Sequence, residues 1–290
     1  MKTILVTGSK GQLGSELNDL TSFYPFQFIF TDVNELDITS AQAITAFIQN
    51  HSIHYCINAA AYTAVDKAET DQEMAFLINA KAAENLAFVC AKSNIPIIHI
   101  STDFVLDGRL HTPYNENAKG NPVSVYGKSK LEGERLVSAA NKKAIIIRTS
   151  WLYSYYGKNF VKTMLQLSKD RDSLGVVSDQ VGTPTYARDL AKVILEIILQ
   201  IDHAKDPNPY FGLYNYSNEG IASWFDFAKL IFEFSNTKIN VKPIQTSEYP
   251  TPAKRPAYSV LNKSKIKSTF NLSIPTWQES LAECIEKLTK

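Results

Sequence analysis

The stretch VYGKSKLEGERL at residues 125–136 sets a phenol, Tyr126, four positions ahead of an ammonium, Lys130. On a helix such a pair shares one face, with Cβ atoms about 5–6 Å apart. A phenol of ordinary pKa, about 10, is a sluggish acid or base near neutrality. A neighbouring ammonium favours the phenolate and is expected to draw that pKa down towards the working pH. The same pair could equally decorate a charged helix surface, and the spacing alone does not decide. Upstream, the apolar run IPIIHIS ends in Ser101-Thr102-Asp103, which delivers a hydroxyl. A hydroxyl, a phenol and an ammonium beside a nicotinamide are the parts needed to reduce a ketone, with Lys130 also able to hold the nicotinamide ribose.

A second constellation lies at the start of the chain. Gly8, Gly11 and Gly14, with Gln12 and Leu13 between them, form G-x-x-G-x-x-G directly after a short apolar run and at the opening of a helical pattern. In that context backbone N–H groups and a helix N-terminus are aimed at a pyrophosphate, and glycine permits the close approach. Asp32 follows Gly8 by 24 positions, near the spacing expected of an acid on the adenosine ribose. Such an acid accepts from a free 2′-OH and repels a 2′-phosphate, which leans towards NADH, while Lys10 in the turn partly offsets the repulsion and keeps NADPH open. Asp37 and Ile38 could supply a carboxylate and an apolar wall for adenine, although Asp37 is also placed to favour the next helix's N-terminus.

These residues need a scaffold. Short β-branched runs at 3–6, 26–32, 53–60, 95–101 and 143–150 alternate with helical patterns at 12–20, 37–51, 74–94 and 129–141. That alternation predicts an α/β fold, a Rossmann-type doubly wound parallel sheet, whose strands are nearly all apolar because helices cover both faces. Tyr126 then starts the helix between the fourth and fifth strands, on the same carboxyl edge as the glycine turn, where open α/β sheets bind ligands. The expected division is a dinucleotide-binding domain over 1–150 and a smaller, irregular α/β substrate-binding domain over most of 151–290. The segment 173–200 reads strand, loop, helix and is expected to rejoin the large sheet.

Composition narrows the alternatives. The chain of 290 residues carries 30 basic against 29 acidic side chains, a net charge of +1, so nothing marks a nucleic-acid or anionic-membrane partner. Cys56, Cys90 and Cys284 are scattered and odd in number, forming neither a disulfide framework nor a metal cluster. The five histidines show no ligand spacing. The opening MKTILVTGSKG lacks the apolar core of a leader peptide, and the longest apolar stretch, 191–201, is too short to span a bilayer. A cytoplasmic setting is expected.

The segments GSKGQLGSEL, NAAAYTAVDKAE, ISTDFVLDG, VYGKSKLEGE, RTSWLY, SDQVGTPT and YPTPAKRPAYS occur in one order from residue 6 to about 260. In this the chain resembles the dTDP-4-dehydrorhamnose reductases, within the extended short-chain dehydrogenase/reductase superfamily. The resemblance implies reduction of the C4 ketone of dTDP-4-dehydro-L-rhamnose by NADH or NADPH, giving dTDP-L-rhamnose. It assigns Tyr126 as general acid, Lys130 as its tuner and Thr102 as a hydrogen-bond donor to the carbonyl. Ala60, Ala61 and Tyr62 match the loop bordering the cofactor. Val65, Asp66, Asp103 and Trp151 match substrate-side positions, Asn79 matches an asparagine near the tyrosine, and Arg255 matches a clamp on the diphosphate.

Phe104 and Leu106 depart from the family's usual tyrosine and phenylalanine, which leaves the hexose less secure than the chemistry. Some members of that family pair subunits through acids and a divalent cation. Glu16 matches one such position, but Arg188 replaces an acid, so no metal is expected, while the resemblance leaves room for a homodimer. Nucleotide-sugar 4,6-dehydratases carry Thr-Asp-Glu where this chain has Thr102-Asp103-Phe104, and Phe104 cannot take a proton. A reductase of a related 4-keto sugar and a regulatory homologue remain the alternatives. The latter loses the Thr-Asp pair that is present here.

Overall fold

The computed structural model describes residues 1–289. Strands β1 (Lys2–Thr7), β2 (Phe26–Thr31), β3 (Ile53–Asn58), β4 (Ile97–Thr102) and β5 (Ala144–Thr149) are parallel and lie in the order 5-4-3-1-2. The winding reverses between β1 and β3, which opens a crevice at their carboxyl ends. Along β1 the pleat sends Ile4 and Val6 to one face and Leu5 to the other. One face packs on α1 (Gln12–Asp19) through Leu13 and Leu17. The other is covered by α2 (Ala41–Asn50), α5 (Ala83–Lys92) and α6 (Val125–Ala140), through Ile44, Leu86 and Val137.

The third strand leads into a short α3 (Val65–Ala68) and then a longer helical run. There α4 (Gln72–Phe76) passes through a π-helical stretch, Leu77–Ala82, into α5. Together they make a 21-residue helix, Gln72–Lys92, long and apolar enough to cross a bilayer, and half of its most apolar window is buried in the fold. Propensity gives no warning of the π stretch, whose hydrogen bonds skip one residue further than usual. Its reason lies in a neighbour. A Cβ on Gly133 of α6 would sit 2.1 Å from the Asn79 carbonyl oxygen, so the widened turn is seated against a glycine.

Beyond Trp151 the strands are short. β6 (Leu152–Tyr153) pairs with β9 (Thr185–Tyr186), β7 (Ser173–Val177) with β12 (Asn240–Ile244), and β8 (Val181–Gly182) with β11 (Ala222–Ser223). The strand at 173–177 therefore stays out of the large sheet, since β12 takes its edge. What returns is α8 (Ala187–His203), whose Leu190, Ile194 and Ile198 enter the core beneath α1. β10 (Gly212–Asn215) then adds to β5 as the sixth parallel strand. A separate aromatic core joins α7 (Phe160–Leu167), α9 (Trp224–Phe234) and α11 (Trp277–Thr289) around Tyr153, Phe227 and Leu281. Helix α10 (Ser264–Phe270) closes the first core through Ile266 and Phe270.

Candidate active site

The end of β1 shows why glycine is required in the turn. Gly8 has φ +67°, and a Cβ there would lie 2.6 Å from the Ala60 backbone nitrogen. Gly11 is the N-cap of α1, with no side chain capping the helix and no acid in its first turn. The N–H groups of that turn are left for an outside acceptor. Gly14 serves packing instead: its Cβ would meet the Gly8 carbonyl at 2.6 Å, and it does not line the crevice.

The crevice is a cleft of about 940 Å³. At one end it is bordered by Gly8, Gly11, Gln12, Leu13, Asp32, Asp37 and Ile38, and further along by Ala60, Ala61 and Val65. Thr102, Asp103, Tyr126, Lys130, Trp151 and Arg255 line the remainder. The residues singled out as chemical and those singled out as dinucleotide-binding thus border one continuous space. The uncapped helix start, the glycine cradle and an acid at the end of β2 fit a bound dinucleotide.

Asp32 is oriented by backbone donors: Lys10 N–H reaches one carboxylate oxygen at 3.2 Å and Val33 N–H the other at 2.8 Å. Glu35 accepts from the Asp32 N–H at 2.9 Å and pairs with Lys10 at 3.5 Å. Asp37 turns back on Thr39, accepting from its N–H and hydroxyl at 2.9 and 2.6 Å, which holds its carboxyl below the usual range.

Tyr126 sits in the first turn of α6, behind the Ser124 cap, with Phe104 edge-on to its ring at 5.4 Å. Its phenol was expected to be acidified by Lys130. Burial dominates instead and pushes it up to about 12, against a hydrogen bond to Thr102 that lowers it and with Asp103 raising it further. Lys130, fully buried, donates from Nζ to the Ile100 carbonyl at 2.6 Å, and burial draws its pKa down to about 8. The Thr102 hydroxyl donates to Asp103 at 3.0 Å and caps Phe104 N–H. Burial lifts Asp103 to about 6, outweighing the hydroxyls of Ser259 and Thr102. At neutral pH the phenol therefore carries its proton, the form a proton donor needs.

Two residues assigned to contacts are placed otherwise. Tyr62 does not line the cleft: its hydroxyl donates to Asp71 at 3.0 Å, while its backbone is held by Asn79. Asn79 in turn donates to Ser129 on α6, three residues after Tyr126. Asp66 likewise lies outside the lining and is engaged by Arg255, with contacts of 3.1 and 2.8 Å, and by Ala253 N–H. Asp66 thus orients Arg255, which does border the cleft.

Sequence reasoning overlooked a wall contributed by the second half. Trp151, at φ +48°, stacks on Trp224 with ring centroids 3.6 Å apart, and Phe160 lies against Trp224 at 4.7 Å. A left-handed backbone is rare for so bulky a residue. Gly182 makes room for the indole, since a Cβ there would approach it to 2.7 Å. Gly157 and Lys158 also line the cleft, and the neighbouring Asn159 donates to Gln12 at 3.0 Å. No local spacing announces these partners. Arg188 stands among Glu16, Asp19 and Glu283, at 3.4, 3.6 and 3.5 Å.

The family model described as RmlD substrate binding domain matches residues 1–290. A dTDP-4-dehydrorhamnose reductase of Aggregatibacter actinomycetemcomitans is 42% identical over 289 residues, covering 97% of both chains. A crystal structure of a dTDP-4-dehydrorhamnose reductase from Clostridium acetobutylicum superposes with a TM-score of 0.93 at 43% identity, covering 99% of this chain and 100% of that one. The Bacillus anthracis reductase, solved in complex with NADP, gives 0.93 at 38% identity, again with 99% and 100% coverage. Over its whole length, the chain belongs to the RmlD substrate-binding-domain family, in which these dTDP-4-dehydrorhamnose reductases are its relatives.

Proposed function

We propose that the chain is an NAD(P)H-dependent reductase that converts the C4 ketone of dTDP-4-dehydro-L-rhamnose to the alcohol of dTDP-L-rhamnose. One observation carries the reading. A buried, protonated phenol, a buried ammonium and a threonine hydroxyl face the same cleft as the uncapped N-terminus of α1. Relatives that bear the reductase name across nearly their whole length support the substrate.

In this reading Gly8, Gly11, Gln12 and Leu13 hold the dinucleotide's pyrophosphate through backbone N–H groups, and Asp32 accepts from its ribose. A bound reduced nicotinamide supplies the hydride. Tyr126 gives its phenolic proton to the C4 oxygen as negative charge develops there. Thr102 turns its hydroxyl from Asp103 to that oxygen, and the Lys130 charge steadies the phenolate left behind. Phe104 and the Trp151–Trp224 stack exclude water from the reacting carbon, and Arg255, held by Asp66, meets the sugar-nucleotide diphosphate. Residues 1–150, with α8 and β10, hold the coenzyme, and the rest forms the substrate module. The reading needs only coenzyme and sugar nucleotide as partners, in the cytoplasm where such intermediates are made.

The test is incubation of the pure protein with dTDP-4-dehydro-L-rhamnose and either reduced nicotinamide, followed by product stereochemistry at C4. Stoichiometric coenzyme oxidation with formation of dTDP-L-rhamnose is expected. No oxidation with any 4-keto nucleotide sugar would overturn the proposal.

A further inference from the structure

Beneath Lys130 lies a charged pair that the proposed reaction does not use. Glu134 stands one helical turn after Lys130 on α6, so the two side chains share a face. Its carboxylate accepts a forked pair of bonds from Arg148 of β5, at 2.8 and 2.7 Å, and a third, at 2.5 Å, from the hydroxyl of Ser101. Ser101 directly follows Ile100, whose carbonyl takes the Lys130 ammonium. All four side chains, Lys130, Glu134, Arg148 and Ser101, are at least nine-tenths buried. A buried ion pair of this kind is weak as a source of stability, and an apolar pair of similar volume would do as well. Its position calls for another explanation.

We infer that Glu134, clamped by Arg148 and Ser101, is the buried counter-ion that keeps the Lys130 ammonium charged beneath the cleft. The inference rests on the reductase reading for its consequence in turnover, but its geometry is independent of the substrate. Among the other groups near Lys130, Tyr126, on the same helix, is held protonated by burial, and Asp103, ionised above about pH 6, is engaged by the Thr102 hydroxyl and exerts no resolved pull on Lys130. His99 of β4 is kept neutral by burial and by Lys130 itself, and it takes the Asn58 amide at 3.0 Å. The helix packed on the other side of α6 presents the neutral amide of Asn79, and Glu69 is spent on the Val125 N–H at the start of α6. Burial already pulls Lys130 down to about 8, and the Glu134 charge is the one opposing influence on it. Arg148 keeps that carboxylate in place and satisfied, so Glu134 is a positioning residue that acts through Lys130.

The test compares wild type with Glu134→Gln across pH 6 to 10 (a range of roughly this width brackets a lysine pKa near 8), following both kcat and NADH affinity, the latter by fluorescence without substrate. In wild type both decline as Lys130 loses its proton. In Glu134→Gln both declines move to lower pH by about 1 unit, the scale of one removed opposite charge. A folded Glu134→Gln protein with unmoved declines overturns the inference. The double variant Glu134→Gln/Arg148→Met leaves no orphan charge and folds where the single change does not. It must still show an acid shift, smaller than that of the single variant because the Arg148 charge leaves together with that of Glu134, and the absence of any acid shift overturns the inference equally. If wild type binds NADH but reduces no 4-keto sugar, the reductase reading falls, while the affinity profile still decides for or against the Glu134–Lys130 coupling.

Discussion

Trp151 and Trp224 lie face to face, 3.6 Å apart and within 6° of parallel, although 73 positions separate them in the chain. The stack holds Trp151 in a left-handed backbone conformation at the edge of the cleft. Trp224→Ala removes its support. The KM for the sugar nucleotide should rise roughly 10-fold with NADH affinity little changed. Steady-state kinetics with each substrate varied in turn check this, and equal losses for both would place the stack outside the sugar subsite.

Removing the phenolic hydroxyl tests the acid. Tyr126→Phe keeps its place beside Phe104 and should retain NADH binding while losing turnover by about 100-fold or more. Because burial holds the wild-type phenol protonated up to about pH 12, its own ionisation should not limit reduction at neutral or mildly alkaline pH. The alkaline decline belongs to Lys130, near pH 8.

Asp103 is a carboxylate placed at a cost. Burial raises it from 3.8 to about 6 in the folded chain, so the folded form binds its proton more tightly than the unfolded form. Stability from this group is therefore gained as pH falls from about 6 to 4 and is missing at pH 7. Asp103→Asn should stabilise the protein at pH 7 by up to about 3 kcal/mol, and the advantage should vanish near pH 4. Paired denaturant titrations at the two pH values measure it. Turnover of the same variant should fall, because a neutral amide is a weaker acceptor than the carboxylate that orients the Thr102 hydroxyl.

Asp32 borders the cleft at the end of β2, and Glu35 behind it accepts from its N–H and is already paired to Lys10. NADH should be preferred over NADPH, and Asp32→Ala should narrow the ratio of kcat/KM values by roughly 10-fold. An unchanged ratio would mean that Asp32 does not read the ribose.

Asp66 and Arg255 form one unit across 189 positions. Each alanine substitution should raise the KM for the sugar nucleotide by roughly 10-fold, and the double variant should be no worse than either single one. Additive losses in a double-mutant cycle would show that Asp66 meets the substrate by itself.

Much of this was legible because local spacing carries it. The glycines, Asp32 and the Tyr126–Lys130 pair are set by one turn, one strand end and one helix face, and the five apolar strands lie where their runs do. What the residues hid depends on burial or on distant partners. Spacing could not show that burial would hold the Tyr126 phenol protonated, nor that Tyr62 would turn to Asp71. Trp224, Phe160 and Lys158 join the cleft only because the second half folds back on it. The π stretch at Leu77–Ala82 is permitted by a glycine on another helix, a condition no single segment records.

The sixth strand, Gly212–Asn215, reaches the large sheet from the last third of the chain. A ribosome releases β5 long before that strand exists, so the nascent first half emerges with a bare parallel edge, and Leu213 and Tyr214 arrive late to seal it. Maturation of the large sheet is thereby tied to synthesis of the second half of the chain. Neither can be inherited, truncated or shuffled as a free-standing module without leaving that seam open.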